Sequence, residues 1–215
     1  MNVNRKKNYN LILGGGLTGV IMLFILIGIF YTPYDPDAMN AADKFAGVSI
    51  RHLMGCDNFG RDVFSRVLEG SRTTWLVAAG TVFIGTFFGV ILGALTVYYG
   101  GIVDEILMRV NDAVFAFPSI LLALTFISIS GSGRYQVVIA LGIAFIPSFA
   151  RIVRGEFIKC KNMDYVKNAR LQGAGDFRIM FVHILPNTLT VLLSAVMIGF
   201  NNAVLAEAGM SFLGI

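Results

Sequence analysis

The sequence predicts an all-α, polytopic transmembrane helical bundle, and three observations carry that expectation. Hydrophobic residues make up 56% of the 215 residues and charged residues 14%, against roughly 45–50% and 25% in soluble domains. Runs almost free of charge recur at about the 20-residue length a helix needs to cross the hydrocarbon core. Eighteen Phe and 24 Gly suit helices that meet lipid on one side and pack closely on another.

Five spans are expected, at about 11–30, 75–99, 113–130, 135–152 and 189–206. The first follows Arg5-Lys6-Lys7, is long for a signal-peptide core and has no small-residue cleavage site before Tyr31-Thr32-Pro33, so it is read as retained. Gly14-Gly15-Gly16 lie within it and suit close helix packing. Pro118 and Pro147 fall inside the third and fourth spans, where neighbouring helices can satisfy the carbonyls that a kink frees.

Orientation follows from cation placement. With the N-terminus inside, the cytoplasmic segments hold Arg5, Lys6, Lys7, Arg109, Arg151, Arg154, Lys159, Lys161, Lys167, Arg170 and Arg178. Outside lie only Lys44, Arg51, Arg61, Arg66, Arg72 and Arg134. Residues 1–10 are then a cytoplasmic tail, 11–215 one transmembrane domain, and 153–188 a cytoplasmic loop. Five spans leave the C-terminus outside, and a sixth span of ~20 apolar residues beyond Ile215 is expected.

Several function classes are disfavoured. The pI near 9.2 follows membrane sidedness, so no nucleic-acid partner is expected. Cys56 and Cys160, like His52 and His183, fall on opposite sides of the predicted membrane, and no metal site of normal ligand spacing arises from these four. There is no G-x-x-x-x-G-K-[ST] phosphate loop and no credible catalytic triad. The chain is read as non-catalytic and without a cofactor.

Three segments carry function. Between Asp164 and Asn187 a polar stretch separates two apolar runs. Asp164–Gln172 has an acidic start and helix formers, and Gly173 ends it in the left-handed conformation glycine accepts. Ala169 and Gly173, four apart, offer a small-residue surface. Phe177, Met180, Phe181 and Ile184 recur with a helical period, and Pro186 is expected to break that helix before the fifth span. An interfacial helix lying on the membrane is the competing reading. In the second segment, His52 to Arg72, Val63, Phe64, Val67 and Leu68 make an apolar stripe opposite Arg61, Asp62, Arg66 and Glu69. Asp62 and Arg66 are spaced to pair. The third segment ends the fifth span: Glu207 is a costly carboxylate facing a pathway, a subunit interface or the headgroups. Asn201 and Asn202 earlier in that helix line the pathway or bond across helices.

These segments resemble one family. Gly173, nine residues and then His183-Ile184-Leu185-Pro186 match the spacing of the EAA loop of binding-protein-dependent ABC importers. The triplet stands here as Lys167-Asn168-Ala169, keeping only its last Ala. Residues 52–72 are similar to the block H-P-L-G-T-D-x-x-G-R-D-x-x-S-R-x-x-x-G-x-R of the dipeptide, oligopeptide and nickel branch. Gly55, Asp57, Gly60, Arg61, Asp62, Ser65 and Arg66 match, while Leu53, Met54 and Cys56 replace Pro, Leu and Thr. Glu207 to Gly214 resemble E-x-x-L-S-F-L-G, with Met210 for Leu.

The resemblance implies a MetI-like permease subunit of a type I ABC importer in the cytoplasmic (inner) membrane, with five of six core spans present. It implies a homologous second permease subunit, two cytoplasmic ATP-binding subunits, an extracytoplasmic solute-binding protein and surrounding lipid as partners. Substrates would be peptides, nickel or other metal chelates. Coupling to the ATPase would run through Tyr165, Lys167, Asn168, Ala169, Gly173, Leu185 and Pro186. A secondary transporter, a channel component or a membrane scaffold remains the alternative.

Overall fold

The computed structural model describes residues 9–131 and 133–214; the expected cytoplasmic tail with Arg5, Lys6 and Lys7 lies almost wholly outside them. Among the described residues every named element is helical. The chain divides into two compact units, at Trp75 and Leu76.

The first unit holds α1 (Tyr9–Phe30), an extended segment with one 3₁₀ turn at Ala41–Asp43, and the start of α2 (Val63–Tyr99). α1 is apolar all round, and nearly all its described side chains are exposed, as a lipid-facing helix requires. Nothing lies within 4 Å of a Cβ placed on Gly14, Gly15 or Gly16. Among the described residues of this unit, no close neighbour fills the space beside them. Contact begins at its end, where a Cβ on Gly28 would stand 2.6 Å from the Leu68 carbonyl oxygen and Phe24 meets Phe64 edge to face at 6.0 Å.

The second unit contains the rest of α2, α3 (Gly101–Phe115), α4 (Ser119–Ser130), α5 (Arg134–Lys161), α6 (Asp164–Leu171), a short α7 (Asp176–Arg178) and α8 (Leu185–Phe212). Among the described residues of the chain, four helical runs are long and apolar enough to cross a membrane, and α3 with α4 forms a fifth, bent pair. The expected third span, 113–130, is therefore not one helix. α3 and α4 meet at 87°, because Pro118 has no N–H to donate and disfavours helical geometry at Phe117. Pro147 behaves differently: α5 continues through it without a break, and the Asn111 amide donates to the Pro147 carbonyl at 3.5 Å.

Small residues set the packing of α2 on α5. A Cβ on Gly80 would come 2.7 Å from Val138 Cγ1, on Gly89 2.5 Å from Phe149 Cβ, and on Gly93 2.7 Å from the Ala150 carbonyl oxygen. Phe149, 2% exposed, also fills the spaces left by Gly85 on α2 and Gly199 on α8, so three helices share one ring. Ion pairs tie α3 to α5: Arg154 grips Asp104 through two bonds of 2.9 and 2.7 Å, and Arg151 reaches Asp112 at 2.7 Å.

Gly93→Ala forces a methyl against backbone and is expected to destabilise the folded chain by about 1–3 kcal/mol. Gly15→Ala, in open space, is expected to stay within about 0.5 kcal/mol. Thermal unfolding of the two variants in one detergent compares them directly.

Candidate coupling and translocation sites

The stretch expected as the loop 153–188 is mostly helix. α5 extends to Lys161 because Val153, Phe157 and Cys160 are buried along it. α6 then ends in a closed turn, in which Ala174 N–H donates to the Ala169 carbonyl and Gly173 N–H to the Arg170 carbonyl, both at 3.0 Å. That is a Schellman cap, and its left-handed residue is Gly173 at φ +81°.

Val166 and Ala169 face inward, with Tyr165 half-buried beside them. Ala169 is therefore not part of a surface shared with Gly173; it is a core residue that fixes α6. Lys167, Asn168, Arg170, Gln172 and Gly173 are exposed, and Leu171 is 85% exposed. An aliphatic side chain so bare on a polar helix is the feature that sequence reasoning passed over.

The helix after the turn also departs from expectation. Ile179–Ile184 is a π segment, so its buried positions are Ile179, Met180 and Ile184, while Phe177 is 72% exposed. The wider turn moves Phe177 off the inner face. Pro186 does not break the helix; the π segment runs directly into α8, and Pro186 sits at the junction between them. Leu185 is half-buried against the same core.

A polar knot holds this turn to the end of α2. Lys161 Nζ donates to the carbonyls of Val97 and Tyr98, at 2.5 and 2.9 Å. The Tyr98 hydroxyl donates to Asp176, and Arg170 Nη2 donates to that hydroxyl at 3.4 Å. The partners are more than 60 residues apart in sequence, and no local pattern announces them.

Between α3, α4, α5 and α8 lies an open cavity of about 480 Å³, lined by Phe117, Ser119, Phe145, Ser148, Ile198 and Asn202 among others. Asn202 is the one expected pathway residue that lines it. Asn201 is exposed on another face of α8, and Glu207 is half-buried and engaged by a partner.

In the first unit, residues 55–66 form a tight turn and a helix cap. Asp57 accepts from Phe59 N–H at 2.8 Å, Arg61 N–H at 3.0 Å and Arg61 Nε at 2.8 Å. Gly60 turns the chain at φ +74°, and Gly55, at φ +72°, packs its backbone against Ala46. Asp62 caps α2: its Oδ2 accepts from Ser65 N–H and Oγ, both at 2.7 Å, while Oδ1 meets His52 Nδ1 at 2.9 Å. The pairing of Asp62 with Arg66 suggested by their spacing is displaced by this cap, and Asp62 is buried instead of facing water. Arg66 stays half-exposed.

Residues 85–215 match the family described as binding-protein-dependent transport system inner membrane component. The chain belongs to this family. The permease is 38% identical over 202 residues to the glutathione transport system permease protein GsiD of Pectobacterium atrosepticum, covering 92% of this chain and 67% of that protein. GsiD of Escherichia coli O157:H7 is 39% identical, covering 91% and 66%. A Brucella suis protein named for a peptide transport system permease is 40% identical, covering 91% and 67%. The permease thus spans about two thirds of the length of these relatives. It is a permease of the type I ABC importers, in the peptide branch, with the MetI-like helical fold. The secondary-carrier and scaffold alternatives fall with that assignment.

Burial pushes the Asp57 carboxyl up, but bonds from the Arg61 side chain, the Arg61 and Phe59 N–H groups and the Arg61 charge outweigh it and hold the group at about 2. A carboxyl held below its unfolded value of about 4 stabilises the fold fully above that pH and loses the contribution as pH falls toward 2. Protection of the 55–62 amides from hydrogen exchange, relative to the intrinsic rate at each pH, is expected to fall across this window, and Asp57→Asn is expected to show low protection already at pH 7.

Proposed function

We propose that this permease forms half of a peptide-uptake path and takes up ATPase motion through the turn at Leu171–Gly173. The observation that carries this reading is a rigidly capped turn presenting a bare leucine. Val166 and Ala169 anchor α6 to the core, and Lys161, Tyr98, Arg170 and Asp176 tie it to α2. A push on the exposed tip is thus passed to buried helices instead of being absorbed by a loose loop. Lys167 and Asn168 lie on the outer surface of the same helix.

The partners of this reading are a homologous second permease subunit, two cytoplasmic ATP-binding subunits that perform the hydrolysis, and an extracytoplasmic binding protein. The open cavity beside Asn202 supplies this subunit's part of the path, and a facing subunit supplies the rest. Relatives named for glutathione and peptide transport favour short peptides over nickel or metal chelates as substrate. The N-terminus is cytoplasmic, which places 31–62 outside and α6 inside.

Gly173→Val puts a β-branched residue at a left-handed position, at a cost of roughly 1–2 kcal/mol, and adds bulk at the tip. Leu171→Asp alters only the exposed side chain. Both variants are expected to insert normally and to lose at least tenfold in substrate-stimulated ATP hydrolysis by the assembled transporter. Normal hydrolysis and transport by both would place the ATPase contact elsewhere.

Orientation has its own test, since both native cysteines are buried. With these changed to Ser, a cysteine introduced at Ser49 is expected to react with an impermeant thiol reagent on intact cells. One introduced at Lys167 is expected to react only after permeabilisation. The reverse pattern would invert the topology.

A further inference from the structure

The segment between α1 and α2 gathers more chemistry than a turn and a cap require. His52, Cys56 and Asp62 each offer one ligand atom, and these atoms lie within 4.8 Å of one another. The Asp62 carboxylate completes a group that cysteines and histidines alone do not form. Backbone bonds hold the three in place. Cys56 N–H donates to the Ala46 carbonyl at 2.9 Å, and Cys56 and Asp62 face each other across the bridge at the base of the turn. The His52 ring packs on Tyr34 at 5.0 Å, and its Nε2 stands 4.0 Å from Asp43 Oδ2. Asp43, His52 and Asp62 line an open cavity of about 840 Å³, which gives an ion access from water.

We propose that His52, Cys56 and Asp62 bind a borderline-soft divalent metal ion of the zinc class, with water at the remaining position. An imidazole nitrogen, a thiolate and a carboxylate form a donor set that zinc accepts and that calcium or magnesium does not. Ligand atoms around tetrahedral zinc lie about 3.3–3.8 Å apart, so the 2.9 Å contact of His52 with Asp62 must open slightly while the widest separation, up to 4.8 Å, closes by about 1 Å. Ser65 bonds the second oxygen of Asp62, the outer support that metal-binding carboxylates require. Burial, and then the carboxylates of Asp43, Asp62 and Asp57, push the Cys56 thiol up. The same negative surroundings attract a dication, which displaces the thiol proton to solvent on binding. Cys56 stands where the resembled block has Thr, a much weaker ligand, so the site is a property of this chain.

The test titrates the purified, metal-free 215-residue chain in detergent with Co²⁺ alone and then with competing Zn²⁺. The expected result is a thiolate-to-cobalt charge-transfer band that saturates at one ion per chain and is abolished by Zn²⁺. Cys56→Ser is expected to remove the band and to weaken Zn²⁺ binding at least tenfold, and His52→Ala to weaken it similarly. Cys160→Ser is expected to change neither. Absence of the band from the unsubstituted chain overturns the site, as does Cys56→Ser binding with parental affinity. Because the band is read first without any substitution, a variant that misfolds does not spare the proposal.

Discussion

One ring organises the membrane-embedded unit. Phe149 on α5 occupies space that three glycines leave, Gly85 and Gly89 on α2 and Gly199 on α8. In lipid, apolar surface gains little from leaving the solvent, so helices associate through close contact and interhelical bonds. The glycine stripe lets α2 approach α5 until side chain meets backbone. Once that distance is set, the ion pairs of α3 with α5 and the contacts of Lys161 on the end of α2 fall within reach. The turn beyond α6 inherits its position from the same contact.

The architecture was legible in the sequence because hydropathy and length report the bilayer directly. Bends and boundaries were less so. Pro118 and Pro147 look alike in sequence, yet one ends a helix and the other lies within one; the amide of Asn111 beside Pro147, 36 residues away, is not a local signal. The π segment at 179–184 defeats a 3.6-residue period outright, which is why Phe177 was assigned to the wrong face. Ala169 was recognised as important but for the wrong surface, since smallness suits a core contact as well as an exposed one.

The block at residues 55–66 shows a different kind of legibility. Its identity was plain from spacing, while its physical role emerged only from hydrogen bonds. Asp57 closes a turn around Arg61, and Asp62 caps α2, a helix of 37 residues. Charges that look solvent-facing on a helical projection are there spent on backbone N–H groups, because a helix start leaves donors that need acceptors.

From Asp176 to Phe212 the backbone is helical without a break, the π segment included. At 1.5 Å rise per residue, Asn202 stands about 39 Å from the end of that rod beside the capped turn. Length sets leverage along such a run: an angle of about 5° subtended over that distance corresponds to about 3 Å, comparable to the width of a water molecule. The capped turn and the cavity beside Asn202 are thus joined by one run of helical backbone, so the distance between them is set by covalent geometry more than by the packing of separate elements.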